Sequence, residues 1–347
     1  MEEPTRWRNR ETAGLPPVRH IREPDVRAAG VRRLGDAVEL LELPAPRALR
    51  PDEVLLDVHA CGVGNWDEIS RTGGWDLGAR PPLALGVEAA GLIAAVGDKV
   101  DKLRPGDRVT THSLPLREQG AWAEQFIAAA RNIAVVPAGV PFDAAAALPV
   151  PALTADQTVV DALEVRAGQT VLVNGAGGVT GGMLVQLAAH YGATVIATAG
   201  GDSAGRVTAM GAATVLDYHQ PDWPEQVRSL TDGGVDAAAN AVPSGAADTL
   251  QAVRNGGRLA TITSDPPPAE RDITVLAVLV VPDGRRLSDL IQLLAQGTLT
   301  VSVGEQFSLE QGTAALAQVR RGSHGTVVVL RPRPDSRVDQ QTHPRSA

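Results

Sequence analysis

Cysteine is almost absent: Cys61 is the only one in 347 residues. One thiol cannot build an internal disulfide framework, nor the multi-cysteine lobe of a structural zinc site. Cys61 is therefore read as a small buried hydrophobe. Lysine is nearly as scarce, standing only at Lys99 and Lys102, so arginine carries almost all the positive charge. Acidic residues (40) outnumber basic ones (32), for a formal charge of -8, and no basic stripe marks a nucleic-acid footprint. Long apolar runs are missing too. The longest, Ile273 to Val281, falls far short of the roughly 20 residues a spanning helix needs. Neither a membrane nor a nucleic acid is expected as partner. The first residues hold no apolar core of a secretory signal, so a cytoplasmic location is the default expectation.

The length and an ordinary 44% hydrophobic content suggest about two soluble domains. Residues 1–25 are charged and lack apolar periodicity, which predicts a flexible extension. From Val26 the texture is one of short alternating or apolar runs broken by Gly and Pro, such as "EVLLDVHACGVG" and "GVEAAGLIAAVG". That pattern predicts a β-rich domain. Near Ala144 the pattern changes to strands alternating with helical segments: "TVLVN", a helix ending at Gly192, "TVIATA", "TVLDY", "VDAAANAV", "GRLATIT" and "ITVLAVLVV". Near-continuous apolar strands separated by helices predict an α/β doubly wound parallel sheet. An amphipathic helix with Leu287, Leu290, Ile291 and Leu294 on one face follows, then β texture. Residues 333–347 read as a disordered tail.

The segment "TVLVNGAGGVTGGMLVQLAAH" carries the strongest chemical signal. An apolar strand runs into Gly175, Ala176, Gly177, Gly178, Val179, Thr180 and Gly181, and a helix follows. Glycines permit a tight turn and close approach of backbone amides to a pyrophosphate, and the helix N-terminus favours the anion. The spacing is a relaxed form of GxGxxG in its expected strand–turn–helix setting, which predicts dinucleotide binding. The next strand ends at Ala199, Gly200 and Gly201, with no carboxylate at the tip for the adenine ribose hydroxyls; Asp202 lies one step into the loop. Arg206 follows and could pair with a 2′-phosphate, or be a solvated helix residue. NADPH is thus the expected cofactor.

Taken in order, "GVEAAGLIAAVG", "GDRV", "AAALPVPALTA", the glycine turn and "MGAATVLDY" resemble the medium-chain dehydrogenase/reductase superfamily in its zinc-independent, quinone oxidoreductase-like branch. The resemblance covers about Val26 to Pro332. It implies a GroES-like catalytic domain (26–150 and 284–332), an inserted Rossmann domain (151–283) and an active site between them. Zinc-dependent members place a Cys ligand where this chain has Gly64 and a His ligand where it has Val87, so no catalytic metal is expected. Many zinc-free relatives have Asn at the position of Gly64, and this chain departs from those as well. Zinc-free relatives pass hydride to quinones or conjugated C=C bonds. Candidate cleft residues are Asn65, a possible hydrogen-bond donor, and Trp66 and Trp75, as flat apolar walls for a planar substrate or as ordinary packing residues. Asp67 is expected to order its loop and Glu88 to be structural. The resemblance also implies Thr154 near the nicotinamide amide and Tyr218 near the adenosine phosphate. Loops at Ala241, Thr263 and Val281 would complete the groove. The apolar run Ile273–Val281 at the end of the sheet would leave an open edge, which predicts a homodimer paired through it unless the helix that follows covers that edge within one chain; the resemblance also points to the dimer. Two other readings remain open: a biosynthetic tailoring enzyme with a non-redox or atypical reaction, and a non-catalytic NADPH-binding protein.

Overall fold

A computed structural model describes residues 25–322 and 324–333. The expected extension before Val26 and the tail after Arg333 lie outside the described residues. Two assemblies of strands divide the chain. The first is β-rich: a three-stranded sheet in the order Glu39–Leu43, Val26–Val31, Leu83–Ala84, and a larger sheet in the order Ser302–Ser308, Thr326–Arg331, Glu53–Val63, Glu88–Val96, Arg108–His112, Ile133–Val135. Gln125–Ala129 pairs onto the long central strand Glu53–Val63. Its core gathers Val54, Leu56, Val58, Ile93, Trp122 and Phe126, with returning-segment residues Val328 and Leu330 in the same cluster.

The second assembly is a six-stranded sheet in the order Ala212–Leu216, Thr194–Thr198, Thr170–Asn174, Val235–Asn240, Val253–Thr261, Thr274–Ala277. Every pairing is parallel. The central residues of the strands are apolar because both faces of the sheet are covered. Val171, Val173, Val195, Ala197, Ala237 and Ala239 enter one core. The residues between them, Leu172, Ile196 and Ala238, enter another with Trp223, Val227 and Leu250 from the opposite helices. This alternation is the doubly wound architecture that the strand–helix pattern predicts. Its strand order reverses between Thr170–Asn174 and Val235–Asn240, and a ligand crevice opens at such a switch point, beyond the carboxyl ends of the strands.

One element is shorter than its sequence suggests. The run Ile273–Val281 supplies a strand only over Thr274–Ala277. Beyond it the chain leaves the sheet, and Val280 packs against the cores of both assemblies. The amphipathic helix Gly284–Ala295 packs toward Arg108–His112, Ile133–Val135 and Pro149–Asp156, not over the sheet edge. Among the described residues, no helix is long and apolar enough to cross a membrane.

Candidate cofactor groove and active site

The glycine turn links the strand Thr170–Asn174 to the helix Val179–His190. Gly175 has φ +87°, a left-handed conformation that glycine adopts without cost. A Cβ on Gly181 would lie 2.1 Å from the Gly175 carbonyl oxygen, so the first helical turn can close on the strand only through glycine. No side chain caps this helix at Gly178, which leaves its leading amides free for an anion. Ala176 is buried, while Gly177, Val179 and Thr180 are partly exposed. This geometry fits a pyrophosphate.

The adenosine end is assembled from two strand tips. Tyr218 is 52% exposed, and a Cβ on Gly200 would sit 3.5 Å from its ring. Its ring also lies 4.1 Å from that of His219. His219 pairs with Asp217 at 2.7 Å; the sequence pattern ends at Tyr218 and leaves His219 outside it, so this pair was not anticipated. Ala199 is buried between the strands. Arg206 lies across the glycine turn. Its Nη2 donates to the Gly177 carbonyl at 2.8 Å and to the His324 carbonyl at 3.1 Å, while Nη1 is shielded and has no partner among the described residues.

A buried polar chain, also not anticipated, runs beneath the groove. Thr198, Asn174, Asn240 and Thr261 each end a neighbouring parallel strand and are at most 4% exposed. Thr198 donates to Asn174 at 2.6 Å, Asn174 to Asn240 at 3.1 Å, and Asn240 to Thr261 at 3.1 Å. Asn240 also bonds Thr263 and the Val242 carbonyl, and Thr198 accepts from the Gly175 amide. Both loops that flank the switch point are thereby held by one network, with the Ala241 amide donating to the Asn174 carbonyl at 2.9 Å. Farther along the groove, Val281 is 62% exposed. Gln157 grips its backbone at both ends, donating to the carbonyl at 2.7 Å and accepting from the amide at 2.9 Å.

In the β-rich assembly, Gly64 caps the short helix Asn65–Arg71. A Cβ at Gly64 would fall 2.3 Å from the Trp66 indole, so Trp66 occupies the space that a side chain at position 64 would need. Its Nε1–H is shielded and has no partner among the described residues. Asn65 is exposed, and Trp75 is half-buried in the irregular chain after that helix. Nothing in the geometry joins Asn65 or Trp75 to Trp66 as a cluster. Asp67 is buried and accepts the Gly64 amide at 2.9 Å, which is the loop-ordering role expected of it. Burial pushes its carboxyl up to about 8, against opposing hydrogen bonds from the Gly64 and Gly86 amides. Glu88 is likewise buried and accepts the Val150 amide at 2.8 Å. Burial holds its carboxyl well above the usual range, and the Asp67 carboxyl adds to the effect. Cys61 is fully buried and bonds the Ala121 carbonyl, as a packing residue. Thr154, 8% exposed, gives its hydroxyl proton to the Val150 carbonyl at 2.7 Å, which leaves its oxygen able to accept. Among the described residues, no three His, Cys, Asp or Glu side chains are grouped to share a metal ion. With Gly64 and Val87 bringing no donor side chain, these residues do not fit a catalytic metal.

Comparison with known proteins places this geometry among relatives. A family model for the alcohol dehydrogenase GroES-like domain matches residues 50–138, and one described as zinc-binding dehydrogenase matches residues 179–283. A quinone oxidoreductase of Sus scrofa is 30% identical over 228 residues, which cover 65% of this chain and 68% of the relative. A synaptic vesicle membrane protein VAT-1 homolog of Danio rerio is 34% identical over 215 residues; they span 62% of this chain but only 43% of that longer protein. A mycobacterial protein solved in complex with NADPH superposes with a TM-score of 0.76 at 28% identity, covering 88% of this chain and all of its own.

Proposed function

We propose, from the premise that this chain belongs to the medium-chain dehydrogenase/reductase superfamily in its quinone oxidoreductase-like branch, that it uses NADPH to reduce a quinone or a conjugated, enone-type C=C bond without a metal. The observation that carries the metal-free reading is the Trp66 indole lying where a side chain at position 64 would be. A zinc ligand there would collide with it. When bound, the cofactor supplies the hydride. The chain's own residues bind, orient and exclude water. The glycine turn and the free helix amides would hold the pyrophosphate, and the Thr154 oxygen would accept from the carboxamide N–H. The Trp66 ring would wall the substrate side. Proximity and a dry cleft then do most of the work, since such a substrate delocalises the arriving charge onto its own carbonyl.

NADPH is favoured over NADH by the carboxylate-free end at Ala199–Gly201, with the Arg206 guanidinium a short way along the next helix. The similar protein solved with NADPH supports the same choice. A charged pair to a 2′-phosphate contributes about 1.5–3 kcal/mol, or roughly tenfold or more in affinity, and Arg206→Ala is expected to narrow that margin. We further propose a homodimer formed through the open edge of the parallel sheet. The test is NADPH consumption across a panel of quinones, enones and enals, before and after exhaustive chelation. Turnover that survives chelation is expected. Inertness toward the whole panel, tighter binding of NADH, or activity lost with a stoichiometric metal would each overturn the reading.

A further inference from the structure

The polar chain beneath the groove ends in a charge. The Thr261 and Thr263 hydroxyls donate to the same oxygen of Asp265, Oδ1, at 2.7 and 2.5 Å. The other oxygen, Oδ2, is shielded from solvent and has no partner among the described residues. Burial pushes this carboxyl up, yet the two hydroxyls and the nearby backbone amides outweigh it and hold the group below the usual carboxylate range. Asp265 is therefore an anion at neutral pH. No cation pairs with it among the described residues, and the residue is partly exposed, with only Oδ2 shielded. The backbone around it is also constrained. Ser244 and Ser264 lie in the two loops that Asp265 bridges, and both hold left-handed conformations, with φ +62° and +58°. Non-glycine residues in that region persist where surrounding contacts fix them, often beside a ligand.

These loops leave the strands Val235–Asn240 and Val253–Thr261, in the second half of the doubly wound sheet. In such sheets the first half carries the adenosine, so the second faces the nicotinamide. The nicotinamide ring is neutral when reduced and cationic when oxidised. We propose that Asp265 is the charge partner of the oxidised ring: its carboxylate favours NADP+ relative to NADPH and so makes the bound reduced cofactor a stronger hydride donor. This rests on the cofactor reading above. It assigns to Asp265 a role in the redox balance of the bound nucleotide, distinct from holding the loops.

Calorimetric affinities for NADP+ and for NADPH separate the two roles. Asp265→Asn keeps an acceptor oxygen for both threonine hydroxyls and removes the charge. It is expected to raise the ratio Kd(NADP+)/Kd(NADPH) by about fivefold, a shift set by one partly screened charge pair. Thr263→Val keeps the charge and loses one hydroxyl, so it is expected to weaken both nucleotides with the ratio unchanged. Should the Asn variant not fold, Asp265→Ser, smaller and neutral, reads the same ratio. An unchanged ratio in the neutral variants, or an equal shift in Thr263→Val, overturns the assignment. An unaltered protein that binds neither nucleotide overturns the cofactor reading and this assignment with it.

Discussion

Asp67 has the clearest residue-scale consequence. Its carboxyl moves from an ordinary 3.8 to about 8 in the folded chain, so between those values the folded protein holds a proton that the unfolded chain has lost. The stability this proton contributes is complete below about pH 4 and is lost as pH rises through about 8. His112 works in the opposite sense: burial lowers it from 6.5 to about 4, so its contribution is present above 6.5 and is lost as pH falls through about 4. Between pH 6.5 and 8 the Asp67 proton is therefore still held while His112 no longer contributes a change, and that retained proton makes the unfolding free energy fall by about 1.4 kcal/mol per pH unit. The thermal midpoint is expected to decline over that window, and Asp67→Asn to flatten the decline; equal slopes for both proteins would refute this. At this scale the sequence showed part of the site. Glycine turns are legible because only glycine meets their backbone demands, and Gly175 and Gly181 sit where the spacing places them. The fit of Trp66 over Gly64 was not legible, since it depends on how a two-residue step folds back. Nor was the Asn174–Asn240–Thr261–Asp265 chain, because lateral strand order brings together polar residues far apart in sequence.

Helices and strands were more legible than the joints between them. Hydrophobic period and glycine punctuation identify the six parallel strands, because burial on both faces leaves no polar register to confuse the pattern. The run Ile273–Val281 misleads on length: beyond Ala277 only Val278 and Val280 pack against a core, while Leu279 and Val281 are exposed, yet the unbroken apolar run reads the same as a buried strand. The element that fastens this joint is also unusual. The helix Pro149–Asp156 continues as a π-helix over Gln157–Ala162, a form often found at functional positions. It presents Gln157 to Val281 and Asp161 to Arg286. Arg286 bonds Asp156 and Asp161, each at 2.8 Å, while Asp283 caps the following helix through the Arg285 and Arg286 amides. Asp156 is only 9% exposed at its side chain, so removing its partner leaves a poorly solvated carboxylate. Arg286→Leu is expected to cost about 1.5–3 kcal/mol and to lower the urea midpoint. Loosening the Val281 end of the groove, it is also expected to raise the NADPH Kd. A midpoint and Kd equal to those of the unaltered chain would show that the fastening is incidental.

At the scale of the whole molecule, the proposed homodimer rests on the open edge of the parallel sheet. Thr274–Ala277 bonds Val253–Thr261 on one side only, and the residues that follow expose Leu279 and Val281 at 64% and 62%. A bare edge beside exposed aliphatic side chains invites pairing with another chain. The alternative cover within one chain would be the helix Gly284–Ala295. That helix already packs on Ile133–Val135, Arg108–His112 and Pro149–Asp156: it buries Leu287, Leu290 and Ile291, and Gly284 sits so close to the Arg131 and Ile133 carbonyls that a Cβ there would lie 2.5–2.7 Å from them. It cannot also reach across to the edge. A second copy related by a twofold axis can, because the same strand then meets itself in antiparallel register and both edges close at once. Light scattering at micromolar concentration is expected to return twice the chain mass. Leu279→Lys is expected to shift the protein toward monomer by placing an unpaired charge in the contact, with the NADPH affinity of the monomer retained, since the glycine turn and Thr154 belong to one chain. A monomeric mass for the unaltered protein would reject the dimer, and an undiminished dimer in Leu279→Lys would place the contact on another face.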